Sequence, residues 1–117
     1  MTWLFNRRNY GLAHFTGDFE VRTMSQDVSS ARVRIYAGNN EAMVFTVSPT
    51  VGEAAGGATA EIQILVNNAS IPDGTIQLTS SAKSARTFNL NNVHTIDLVF
   101  NDEWGFFTGN YAINVLF

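Results

Sequence analysis

The stretch ARVRIYAGNNEAMVFTV, residues 31–47, decides the fold class. Val33 and Ile35 fall on one side of an extended chain and Arg32 and Arg34 on the other. After AGNNE, Met43, Phe45 and Val47 alternate with Val44 and Thr46 in the same way. Successive side chains of a strand point to opposite faces, so this period of two marks half-buried β-strands. An amphipathic helix would instead repeat its apolar residues at i, i+3, i+4 and i+7. Between the two runs, Ala37–Glu41 holds a glycine and two asparagines, the residues of a tight turn. The reading is two strands joined by a hairpin loop at 37–41.

The same alternation recurs on both sides. FEVR aligns Phe19 with Val21, and AEIQILV aligns Ile62, Ile64 and Val66. TIQLT aligns Ile76 with Leu78, and HTIDLVF aligns Ile96, Leu98 and Phe100. YAINVLF aligns Tyr111, Ile113, Val115 and Phe117. Breakers separate these runs: SPTVGEAAGGA at 48–58 is read as a long small-residue loop, and FTGN at 107–110 as a turn. IPDG at 71–74 suits a type I turn, with Pro72 at its second position. No segment carries helical periodicity over three turns. The expected fold is all-β: a single-domain antiparallel β-sandwich over residues 1–117, jelly-roll-like in one form, with about eight or nine short strands.

Composition narrows the function. The 117 residues carry a net charge of -3 with 15% charged residues, against the usual ~25%. A weakly acidic chain lacks the basic field that nucleic-acid backbones require. Cysteine is absent, which removes disulfides and thiolate metal sites. No apolar run approaches the ~20 residues that span a bilayer. The opening MTWLFNRRNY lacks the basic region and apolar stretch of a signal peptide, so no secretion signal is expected.

Candidate chemistry does not gather. His14 and His94 are the only imidazoles, and neither has metal-ligand spacing. No serine sits in a GxSxG elbow, and no phosphate-binding glycine motif occurs. Asp102 and Glu103 in NDEW form the best acidic cluster, but their place between two strands is that of a turn. Neither catalysis nor a cofactor is therefore expected. The neighbouring aromatics leave one alternative, a lectin-like carbohydrate-binding module in which Trp104 and Tyr111 stack on sugar rings and Asp102 accepts hydroxyl hydrogen bonds.

A further expectation comes from sheet edges. Bare edges invite pairing with another chain, and lysine, proline and inward charges are the usual guards. This sequence has one lysine, Lys83, and two prolines, Pro49 and Pro72. Both ends are apolar, with Trp3 and Phe5 beside Arg7 and Arg8 at one and Leu116 and Phe117 at the other. These six residues are the candidate partner contacts, with 1–12 as an N-terminal arm. The expectation is a non-enzymatic structural protein that binds itself, as a trimer or another homo-oligomer, and docks on a larger shell. A phage capsid decoration (cement) protein, made in the host cytoplasm and carried on the virion, is the concrete case.

Overall fold

A computed structural model of the chain describes residues 12–23, 30–54, 59–78, 85–101 and 105–116. They form six strands: β1 (Leu12–Arg22), β2 (Ala31–Glu53), β3 (Ala60–Val66), β4 (Ala69–Leu78), β5 (Arg86–Phe100) and β6 (Phe106–Leu116). All pair antiparallel in one sheet, in the order β1-β6-β2-β5-β3-β4. The all-β expectation holds, but six strands stand among the described residues where eight or nine shorter ones were expected. Three stretches expected to turn the chain lie inside strands instead.

The first is AGNNE. It does not turn the chain back; β2 runs through it as one strand of 23 residues. Ala37 pairs with Thr95 and Glu41 with Val93, so Gly38, Asn39 and Asn40 stand against the single residue His94. This is a bulge. Asn40 takes a φ of 68° and, across the ladder, Asn92 one of 54°. Glu41 stitches the bulge by accepting hydrogen bonds from the Tyr36 hydroxyl (2.5 Å) and the Asn39 amide (2.9 Å). Straight, such a strand would measure about 76 Å at ~3.3 Å per residue. The longest extent of the molecule is 56 Å, so the bulges must bend β2.

IPDG is the second stretch. Gln63 pairs with Thr75 and Leu65 with Ser70, which loops residues 71–74 out of β4 opposite Ile64 alone. The turn chemistry is present, with Asp73 at φ 59° and Gly74 buried, yet the strand resumes in the same direction. The actual reversal between β3 and β4 is made by Asn67 and Asn68, at φ 55° and 64°. Two central residues of positive φ are the signature of a type I′ hairpin. Asn67 also accepts hydrogen bonds at Oδ1 from the His94 and Thr95 amides and donates one from Nδ2 to the Asn92 carbonyl.

FTGN, the third stretch, lies inside β6, which is paired on both sides. Gly109 stands between Phe19 and Pro49 in register. A Cβ there would come within 2.8 Å of the Phe19 ring, which stacks on Phe107 at 6.2 Å. The glycine serves close packing of an aromatic ring, not a reversal. The loop expected at 48–58 is likewise strand as far as Glu53, and its residues 55–58 lie outside the described ones.

The core follows the predicted faces. Phe19 and Val21, Met43, Phe45 and Val47, Ile62, Ile64 and Val66, Ile76 and Leu78, Ile96, Leu98 and Phe100, and Ile113 and Val115 all join one buried cluster. Strands that are not sheet neighbours also meet. Gly52 of β2 faces Ala60 of β3 and Leu78 of β4, and Arg86 of β5 donates to the Asp73 and Thr75 carbonyls of β4 at 3.0 and 3.1 Å.

Candidate assembly surface

Among the described residues β1 pairs only with β6, and β4 only with β3, so these strands are the two edges of the sheet. They are built differently. β4 carries Pro72, which has no amide hydrogen, and the Ile71–Gly74 bulge, and two of its carbonyls are taken by Arg86. Those features interrupt the row of groups another strand would read. β1 has none of them. Its 11 residues, LAHFTGDFEVR, contain no proline and no lysine. It stays in unbroken register with β6 from Leu12↔Leu116 to Arg22↔Phe106.

The faces of β1 are segregated. Positions 15, 17, 19 and 21 share the core face with Ile113, Tyr111, Gly109 and Phe107 of β6. No charge stands among them. Phe19 and Val21 are buried, while Phe15 is 49% exposed, its ring 6.4 Å from that of Tyr36. Gly17 makes room for Tyr111, whose hydroxyl would lie 2.6 Å from a Cβ at that position. His14, Thr16, Asp18, Glu20 and Arg22 line the outer face. There His14 Nδ1 hydrogen-bonds Asn114 Oδ1 at 2.5 Å, Glu20 pairs with Arg22, and the Arg22 guanidinium lies 5.1 Å from the Phe106 ring centre.

Behind that edge the outer face of β6 and β2 is nearly uncharged. Thr46 meets Thr87 at 2.9 Å and Thr50 meets Thr108 at 3.0 Å, with Ser48, Asn110 and Ala112 between. A shallow groove there is lined by Thr16, Asp18, Ser48, Asn110 and Tyr111 among others.

Among the described residues a strong electrostatic cluster lies elsewhere. Asp97 of β5 is 1% exposed at its side chain, between Arg32 and Arg34 of β2. Arg34 Nε donates to Oδ1 at 2.9 Å and Arg32 Nε to Oδ2 at 2.8 Å. These hydrogen bonds, that of Arg34 first, hold the Asp97 carboxyl below the usual range against the opposing effect of burial. Arg32 also reaches Asn68 Oδ1 in the hairpin turn. The cluster is self-satisfied and ties β2, β5 and the β3–β4 turn together. Tyr36 is pushed up to about 12 by burial and by its hydrogen bond to Glu41, whose own carboxyl that bond holds low.

Of the candidate partner contacts, Leu116 is placed: 49% exposed, on the outer face, between Leu12 and Ala42. Trp3, Phe5, Arg7, Arg8 and Phe117 lie outside the described residues, as does the arm up to residue 11; Leu12 opens β1. Of the carbohydrate set, Asp102 and Trp104 also lie outside them, and Tyr111 is half-buried against Gly17. Among the described residues no three histidine or carboxylate side chains come together, and no helix is long and apolar enough to cross a membrane. Sequence reasoning missed the β1 edge itself: LAHFTG does not alternate cleanly, and only Phe19 and Val21 signalled a strand.

No protein-family model matches the chain, and no curated protein matches it in sequence. Solved structures do. A chain of the Bacillus endospore appendages, which form a novel family of disulfide-linked pili, matches with a TM-score of 0.50 at 14% identity, over 97% of this chain and 96% of that one. That likeness is one of fold. Two weaker matches are the virus-like particle of the giant freshwater prawn (Macrobrachium rosenbergii) extra small virus, at TM-score 0.35 and 7% identity over 97% and 86% of the two chains, and dimeric latent PorU of Porphyromonas gingivalis, at 0.38 and 12% over 92% and 13%.

Proposed function

We propose that this chain is a non-enzymatic structural subunit that works by binding copies of itself and building, or docking on, a larger protein assembly. The observation that carries the reading is the contrast between the two sheet edges. One edge is interrupted by proline, bulge and arginine; the other is long and regular and, among the described residues, paired on one side alone. A bare edge offers its backbone groups to another strand, and main-chain pairing then supplies the affinity. The low charge of the chain agrees, since little repulsion opposes close packing of copies.

The finer form of this reading has three parts. The bent sheet is a β-sandwich, jelly-roll-like in kind, whose halves meet where Gly52 faces Ala60 and Leu78. The assembly is a virion, with this chain a decoration (cement) protein on a phage capsid and Leu116 among its contact residues. Contacts of such a subunit bury on the order of 1,200–2,000 Å² each. The fold shared with the Bacillus appendage chain is in keeping with an assembly role. Those pili are disulfide-linked; this chain has no cysteine, so its copies are held by non-covalent contacts.

Sedimentation velocity over a wide concentration range tests the reading. Species heavier than the 12.9 kDa chain, growing with concentration, are expected. A single 12.9 kDa species at every concentration, with no binding to a candidate shell, would overturn it.

A further inference from the structure

The self-association reading leaves open which surface joins two copies and in what register. We infer that β1 pairs with β1 of a second copy, antiparallel, about a twofold axis at Gly17. This inference rests on the proposed function and adds to it the partner strand, the symmetry and the register.

The choice of β1 over β4 follows from the guards on β4. A head-to-tail contact, β1 of one copy to β4 of the next, would meet Pro72 and the Ile71–Gly74 bulge halfway along. An isologous contact uses the bare edge twice and closes as a dimer.

Face parity and chemistry then select the register. A shift by one residue would turn the apolar face of one β1 onto the outer face of the other, so only registers centred on a residue are allowed. Gly17 is the midpoint of Leu12–Arg22, and a twofold axis there pairs the strand over its whole length. On the outer face it sets His14 opposite Glu20 of the second copy and Thr16 opposite Asp18. On the core face it sets the half-exposed Phe15 opposite Phe19, extending the aromatic row of Phe19 and Phe107 across the junction. Gly17 meets Gly17 where the two chains cross, with no Cβ between them.

Neighbouring registers are worse. A centre at Asp18 opposes two carboxylates directly and brings His14 against Arg22. A centre at Thr16 sets Phe15 against Gly17, breaks the aromatic pair and runs Arg22 past the end of the partner strand. Like charges directly opposite destabilise a pair, and aromatic pairs stabilise it.

The absence of cysteine makes the register measurable. Thr16→Cys and Asp18→Cys are both exposed outer-face changes that leave the core untouched. Directly opposed positions bring Cβ atoms within about 5 Å, close to the disulfide range, whereas diagonal ones stand about 7–8 Å apart. Under mild oxidation a mixture of the two variants should form the 16–18 heterodimer faster than either forms a homodimer. A faster Asp18→Cys homodimer would place the axis at Asp18, and a faster Thr16→Cys homodimer would place it at Thr16; either overturns the register. If the wild type associates in sedimentation but no cross-link forms, the β1 pairing is overturned and the self-association reading stands. If the wild type is monomeric throughout, both fall. A charge reversal gives an independent reading. Thr16→Asp sets two like-charge pairs across the axis and should weaken the dimer roughly two- to thirtyfold, while Thr16→Lys, facing Asp18, should not weaken it. Equal weakening by both would also overturn the register.

Discussion

Asp97 shows how one side chain can organise a fold without being a site. Its carboxylate is buried, and two half-exposed arginines satisfy it. Exchanging one carboxylate oxygen for an amide NH2, which donates and cannot accept, removes the charge and one acceptor from between two guanidinium groups, so Asp97→Asn should cost about 1–3 kcal/mol at neutral pH, read from chemical denaturation. The folded-state pKa is depressed, so this stabilisation is complete above the unfolded value of about 4 and is lost as pH falls below it. The gap between wild type and variant should therefore close in acid. Tyr36 behaves in the opposite sense. Its pKa is raised to about 12, so its contribution is whole below pH ~10 and disappears between there and 12. An alkaline absorbance titration should show a late phenol that is missing in Tyr36→Phe. Gly109 makes a steric case: Gly109→Ala drives a methyl against the Phe19 ring and the Ser48 carbonyl, which should lower stability by about 3 kcal/mol.

At the scale of elements, the sequence showed faces well and reversals badly. Nearly every residue placed inward by alternation is buried, because a period of two is a direct image of strand geometry. AGNNE, IPDG and FTGN were misread for one shared reason. Glycine, and asparagine or aspartate at positive φ such as Asn40 and Asp73, serve a hairpin, a bulge and a close approach equally, and only the partner strand's register separates them. Asn67-Asn68, the true I′ turn, lacks the glycine that usually marks one. Of the six candidate contacts taken from the two ends, four rested on hydrophobicity and Arg7 and Arg8 on their charge, and Leu116 is the one whose place is described. Edge protection was argued from the scarcity of lysine and proline, and its distribution needed the strand order. The contrast between β4 and β1 carries a prediction: Pro72→Val restores an amide to the guarded edge and should raise the rate of aggregation in light scattering. An unchanged rate would mean that the bulge and Arg86 suffice without the proline.

For the whole molecule, the proposal is that the sheet adds a strand at β1, which among the described residues is paired on one side alone. On that proposal the weak charge permits approach, the threonine- and asparagine-rich outer face adds little affinity, and the directional component is the β1 backbone on the side away from β6. Residue-resolved hydrogen exchange over increasing protein concentration reads that backbone directly. The account predicts that β1 amides become protected as concentration rises, while β4 amides do not change. Fast exchange along β1 at every concentration would contradict it, as would protection that is already full in the monomer, where a segment of the same chain must cover the edge.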